Sequence, residues 1–316
     1  MKFRQIENAS EYNCLLSCLA TLAKHYGRDY QIIFSSNWKL QYNSNTVNKR
    51  IGEKIDIVSK TDIVSRSIKF HGFSWKMHPY EIIVNHENIL DSFYPILATV
   101  DLYEFKFSDY FKKYHFTHSL IIKEYNLEKE EYLCIDPYFQ YAQYVVPKKD
   151  LIICLKKWGE IELYNMPRDL CAEEYIKAIT EDIMEVNYNN DNYKNIKSLA
   201  NDMYNNMNIA FEFDEFRKNL QAVPIMNSIR KVTMYRSAYS SLLDYVYNLY
   251  KVESFRVASI LIKQSVVLWK TVKGKLLKAY LTHSINREKI TIYQLVNKIA
   301  DTEKLATEQI LLTEYN

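Results

Sequence analysis

The hydrophobic period of this chain changes once, near residue 166, and that change constrains the architecture more than any other feature. Between 94 and 165 the apolar residues fall in short β-branched or aromatic runs divided by polar turns. YPILATVDLYEF (94–105), HFTHSLIIKEY (115–125) and EEYLCIDPYF (130–139) read as strands. AQYVVPKKDLIICLKKWGEIELYN (142–165) reads as a strand, a short helix and a closing strand. Upstream, NCLLSCLATLAKHYG places apolar side chains at 15, 16, 18, 19, 22, 23 and 26, a helical spacing with Asn13 as its cap and Gly27 as its stop. DIVSRSIKFHG (62–72) repeats that pattern and also ends in glycine. Beyond 166 every apolar pattern recurs at three and four residues, and 187–195 (NYNNDNYKN) reads as a loop. The fold class expected is therefore α+β: a mixed domain over 1–165 and an all-α domain over 166–316. The boundary falls near YNMPRDL, where Pro167 interrupts the pattern.

Length and composition narrow the function classes. A chain of 316 residues accommodates two domains, and 48% hydrophobic with 25% charged residues is ordinary for a globular protein. Only five glycines occur, and neither GxGxxG nor GxxxxGK[ST] is present, so a phosphate-cradling nucleotide site has no support. No apolar stretch approaches 18 residues and no signal-peptide pattern opens the sequence, which makes a cytoplasmic protein without a membrane span the expectation. Five cysteines, an odd number, argue against a disulfide framework. Cys14 and Cys18 lack the second pair that a zinc site requires, so no metal and no cofactor are expected.

Charge is uneven in the helical half. Residues 166–216 hold four Lys and Arg against eleven Asp and Glu, a net of −7, whereas 217–278 hold twelve against two, a net of +10. Arg230, Lys231, Arg236, Arg256, Lys263, Lys270, Lys273, Lys275 and Lys278 lie in the basic stretch. Such a run is either a set of solvated helix faces or a docking surface for an acidic partner. No nucleic-acid-binding motif accompanies it.

The chemistry-bearing residues begin with Cys14. A nucleophilic cysteine needs a stabilised thiolate, a histidine in reach and a group that orients the histidine. Cys14 opens the first helix, where free amide groups favour negative charge. Alone it would read as a small core residue, as Cys18 does one turn further on. His118 starts the apolar run HSLII and shares a strand face with Leu120 and Ile122, whereas His115 has the opposite parity. Asp136 closes the next strand, 18 residues on, and two adjacent antiparallel strands bring it beside His118. The plainer readings are a structural strand histidine and a turn-forming Asp-Pro.

A cysteine on an N-terminal helix, followed by His and Asp on successive strands, resembles the papain-like cysteine enzymes. Cys14, Cys18 and the HYG ending at Gly27 stand in the register of the bacteriocin-processing cysteine peptidases, and THSLII and CIDPY match that family's histidine and Asp-Pro motifs. The resemblance implies an oxyanion-hole amide six residues before the cysteine. Asn8 stands there in place of glutamine, with Gln5 as the fallback, and Leu15 replaces the glycine that follows the cysteine. A closer resemblance, over roughly 5–165, is to the N-terminal domain of the family of butirosin biosynthesis protein H. Cysteine-protease homologues of closthioamide-type assembly are similar as well.

These resemblances imply a papain-like fold in which the N-terminal catalytic helix packs on an antiparallel sheet. They imply an acyltransferase in natural-product biosynthesis. Its cysteine takes an acyl group from a carrier-protein thioester, with the phosphopantetheine arriving on the carrier, and passes it to a small amine, which a diamine would satisfy. The expected triad is Cys14, His118 and Asp136. A cysteine peptidase or amidase, and a binding module that retains only the fold, are the alternatives. They differ in whether water, or nothing, accepts the acyl group.

Overall fold

A computed structural model describes residues 3–35, 38–46, 48–58, 62–79, 95–165, 170–187, 191–214 and 219–315. The chain is mixed α+β and divides into two compact units. One joins Met1–Ile33 to Asp62–Arg168, and the other joins Phe34–Thr61 to Asp169–Asn316. The break read at Pro167 lies outside the described residues. The single division expected at 165/166 differs from this pattern, because residues 34–61 belong with the second unit.

The first unit contains α1 (Cys14–His25), α2 (Ile63–His71), β3 (Phe73–Pro79), β4 (Ile96–Asp101), β5 (Thr117–Asn126), β6 (Glu131–Asp136), β7 (Ala142–Pro147), α3 (Lys148–Cys154) and β8 (Leu155–Leu163). The strands form one antiparallel sheet in the order β3-β8-β4-β5-β6-β7. β4 is central and buried along its whole length, which is why ILATVD carries apolar residues on both faces rather than alternating. Its partner β5 is buried from His118 to Ile122. Ile96, Val100, Leu120, Ile122, Cys134 and Trp158 share one apolar cluster. The α1 helix packs against β5. It opens on Asn13, whose side chain accepts from the Leu16 N–H at 2.9 Å. It closes through Gly27, whose φ of 70° admits the left-handed turn that Arg28 N–H completes on the Ala23 carbonyl.

The second unit holds an antiparallel hairpin, β1 (Lys39–Tyr42) and β2 (Ile55–Val58), followed in sequence by α4 (Ala172–Asn187), α5 (Asp191–Asn205), the short α6 (Ile209–Glu212), α7 (Pro224–Tyr250), α8 (Glu253–Leu281) and α9 (Ile285–Leu311). The unit is therefore not all-α, although the described residues beyond 166 form no strand. Part of the stretch read as a loop at 187–195 is helix, since α5 begins at Asp191, while 188–190 lie outside the described residues. Its asparagines do tertiary work: Asn192 and Asn195 accept from the Leu40 and Tyr42 N–H groups at 2.9 and 3.1 Å. They take the place of a neighbouring strand along β1.

The turn at Ile51–Lys54 lies tight against the start of α7. A Cβ on Gly52 would stand 2.0 Å from the Ile225 nitrogen. Glu212 accepts from the Ile51 and Gly52 N–H groups, and Ser228 donates to the Gly52 carbonyl. Gly52→Ala is expected to lower stability by about 1–3 kcal/mol through forced backbone separation, read as a reduced urea midpoint at unchanged slope.

Five of the nine basic residues named above are ion-paired among the described residues. Arg236 is fully buried and paired with Glu303, so it is no part of a docking surface. Arg256 pairs with Glu253, Lys263 with Asp244, and Lys275 and Lys278 with Glu288. Lys231 and Lys270 are exposed and form no ion pair among the described residues. Among the described residues no helix is long and apolar enough to cross a membrane.

Candidate active site

Cys14 is the first residue of α1, where the opening amide N–H groups have no intrahelical acceptor. Its side chain is only half-buried, in contrast to Cys18 below it, which is completely enclosed. β5 and β6 supply the facing groups. Ile121 pairs with Ile135, so Asp136 falls opposite Leu120 and diagonal to His118 on the same face. His118 Nε2 and Asp136 Oδ2 are 2.6 Å apart, and both residues are buried. That contact leaves Nδ1 for the Cys14 sulfur, which is hydrogen-bonded to His118. Asp136 is itself held by the Phe139 N–H, which donates to Oδ1 at 3.2 Å. The structure thus brings together the three residues singled out from the sequence.

Electrostatics in this cluster favour a thiolate–imidazolium pair. Burial pushes the Cys14 thiol up, but the hydrogen bond and positive charge of His118, with donors from the Ser119 amide and hydroxyl, bring it below the ordinary cysteine value. Burial pulls His118 down, but the hydrogen bonds to Asp136 and Cys14 and their negative charges push it up to about 9. Cys18 is held well above the ordinary value by burial and by the charges of Cys14 and Asp136, so it stays a thiol. Cys134 and Cys154 are pushed up by burial as well.

Asn8 and Gln5 are exposed. Asn8 adopts a left-handed backbone (φ 56°) at the head of a 3-10 turn whose Ala9 carbonyl is tied to the Ser17 hydroxyl at 2.6 Å. His115 turns away to bond Asp101 at 2.8 Å. Sequence reasoning missed Ser119, a small residue inside an apolar run that carries no outward mark. It also missed Tyr138 and Phe139, whose rings lie 5.9 and 5.4 Å from that of His118. Two aromatics directly after an Asp-Pro were the available signal.

Among the described residues no group of three or more His, Cys, Asp or Glu side chains is arranged to hold a metal ion. No protein-family model and no curated protein matches the chain.

The ion pair makes a pH prediction. His118 has a folded value above the ordinary 6.5, so its protonation stabilises the fold fully below that pH and the contribution is lost as pH rises through about 9. Between the lowered Cys14 value and about pH 9 the thiolate is present beside a charged imidazole. Iodoacetamide is therefore expected to alkylate Cys14 at neutral pH while Cys134 and Cys154 stay unmodified, read by intact mass and peptide mapping. Asp136→Asn removes the charge that holds the imidazole proton. It should lower the His118 titration point, followed by NMR, and raise the pH at which Cys14 reacts.

Proposed function

We propose that this chain is a cysteine-nucleophile acyltransferase that moves an acyl group from a carrier-protein thioester to an amine and so forms an amide. The observation that carries this reading is the Cys14 sulfur at the head of α1, hydrogen-bonded to a buried His118 that Asp136 holds at 2.6 Å. The Cys14 thiolate attacks the thioester carbonyl. The carbon–sulfur bond to the phosphopantetheine breaks, and His118 protonates the departing thiolate. The acyl group now rests on Cys14. The amine attacks it, neutral His118 takes the amine proton, and the bond to Cys14 breaks, regenerating the ion pair. Asp136 holds His118 in one tautomer throughout.

The resemblance of the 5–165 region to the butirosin biosynthesis protein H family supports an amine over water as acceptor. So does the burial of His118 and Asp136, which keeps solvent from the base. An acidic carrier protein remains the partner proposed, and Lys231 and Lys270 are exposed basic residues with no ion pair among the described residues.

The test is incubation with an acyl-loaded carrier protein and a diamine, followed by mass spectrometry. Amide product that depends on Cys14 supports the reading. Free acid in equal yield with and without the diamine identifies a hydrolase instead.

A further inference from the structure

One turn of the first unit carries Asp136 and the aromatic residues beside His118. It runs from Asp136 at the end of β6 to Ala142 at the start of β7, closed by the Ala142 N–H on the Phe139 carbonyl at 3.1 Å. Its first residue holds His118, and its next aromatics line the imidazole. The two residues before Ala142, Gln140 and Tyr141, are both left-handed, with φ of 55° and 60°. Two successive non-glycine residues in that region are costly and persist only where their surroundings hold them.

The conformation aims the Tyr141 side chain back at the nucleophile's own segment. Its phenol oxygen accepts from the Ile6 N–H at 2.6 Å. It also lies 3.1 Å from the Thr21 hydroxyl. With the oxygen already accepting from Ile6, the phenol proton is free to go to Thr21. Ile6 lies in the strap that leads into Cys14, anchored by the buried side chains of Ile6, Ala9 and Tyr12. Thr21 is fully buried on α1 at a seven-residue spacing from Cys14, on the helix face that also carries Cys18.

We infer that Tyr141 is a positioning residue that sets the distance between the Cys14 sulfur and the His118–Asp136 pair, by tying the strap and α1 to the turn that carries Asp136. The role rests on the acyl-transfer reading for its purpose, but its geometry is independent of which acyl group or acceptor is used. Misplacing a reacting group by about 1 Å through a remote change can cost on the order of 100-fold in rate. Loss of both phenol bonds lets α1 and its strap drift from β5 without removing any apolar contact.

The experiment compares wild type with Tyr141→Phe and Thr21→Val. Each is followed by circular dichroism, by the pH profile of Cys14 alkylation, by NMR titration of His118 and by the amide assay. Tyr141→Phe is expected to stay folded, to lose about tenfold or more in Cys14 alkylation rate at pH 7, to shift the alkylation profile to higher pH and to lower the His118 titration point. Thr21→Val keeps the bond to Ile6 and should move both in the same direction by less. If Tyr141→Phe does not fold, Thr21→Val decides.

Profiles and titration points equal to wild type, with only a lower melting temperature, would overturn the proposal and leave Tyr141 a stabilising residue. The two readings fail separately. Wild type that forms no amide while Tyr141→Phe still shifts the alkylation profile removes the acyltransferase and keeps the positioning role. Wild type that forms amide while Tyr141→Phe behaves identically does the reverse.

Discussion

With Cys14 replaced by alanine, amide formation from the carrier thioester drops to the uncatalysed background, a loss on the order of 10⁴-fold or more. The size follows from what the sulfur does. In the proposed mechanism it is the atom that forms the covalent intermediate, and no neighbouring thiol replaces it. Cys18 sits one turn below but is enclosed, and its thiol is held protonated by burial and by the charges of Cys14 and Asp136. Intact mass should show the acylated protein in wild type after loaded carrier is added alone, and no adduct in the alanine variant. His118→Ala should lose a comparable amount, because without the imidazole neither the thiolate nor the departing thiol is served. The double variant should be little worse than either single one, since residues that act as a unit are not additive. Undiminished turnover by the Cys14 variant would mean that the three residues, though adjacent, carry no chemistry.

The second large effect lies in the helical unit. Glu303 on α9 is fully buried and accepts from Arg236 Nε at 3.0 Å, Arg236 Nη2 at 2.8 Å, Ser265 at 2.7 Å, Trp269 Nε1 at 3.2 Å and Asn192 at 3.1 Å. Arg236 in turn lies 4.1 Å from the ring centre of Trp38. Burial would push Glu303 up, but the Arg236 charge and these donors keep it below the ordinary carboxylate value. A depressed carboxylate stabilises the fold above the unfolded value and loses that contribution as pH falls through the folded one.

Arg236→Met leaves the carboxylate in the interior with its cation gone. The expected cost is about 3–5 kcal/mol. Arg236→Met with Glu303→Leu together removes both charges and should recover most of the loss, because an apolar pair of similar volume avoids the desolvation of two ions. Urea unfolding followed by tryptophan fluorescence reads this directly, since Trp38 and Trp269 both touch the cluster. Equal destabilisation in single and double variants would show that packing volume, and not charge, holds the four helices.

The strands from 96 to 163 were legible because each carries a local signature: a short apolar or alternating run with a polar turn on either side. The cap at Asn13 and the stop at Gly27 were legible for the same reason, being properties of a few adjacent residues. His118 and Asp136 could be paired because consecutive antiparallel strands leave little freedom in register.

What escaped was set by distant partners. KLQY is four residues long and forms a strand only because β2 and two asparagines from α5 satisfy its backbone. Those asparagines looked like loop chemistry, since a run of Asn and Asp favours turns until tertiary acceptors claim it. Arg236 looked like surface charge for a parallel reason. Its counter-ion is 67 residues away, and nothing local marks the helix face that turns inward.

The second unit is assembled from two stretches of chain separated by about a hundred residues of the first, and this bears on biosynthesis. Residues 34–61 leave the ribosome long before the α5 asparagines that complete β1 and before the α9 carboxylate that Asn192 reaches. At ~5–20 residues per second, the nascent hairpin waits about 10–50 s for its last helix. During that interval the sheet carrying His118 and Asp136 can already close around the earlier-made Cys14 helix, while the last helices of the second unit are still being made.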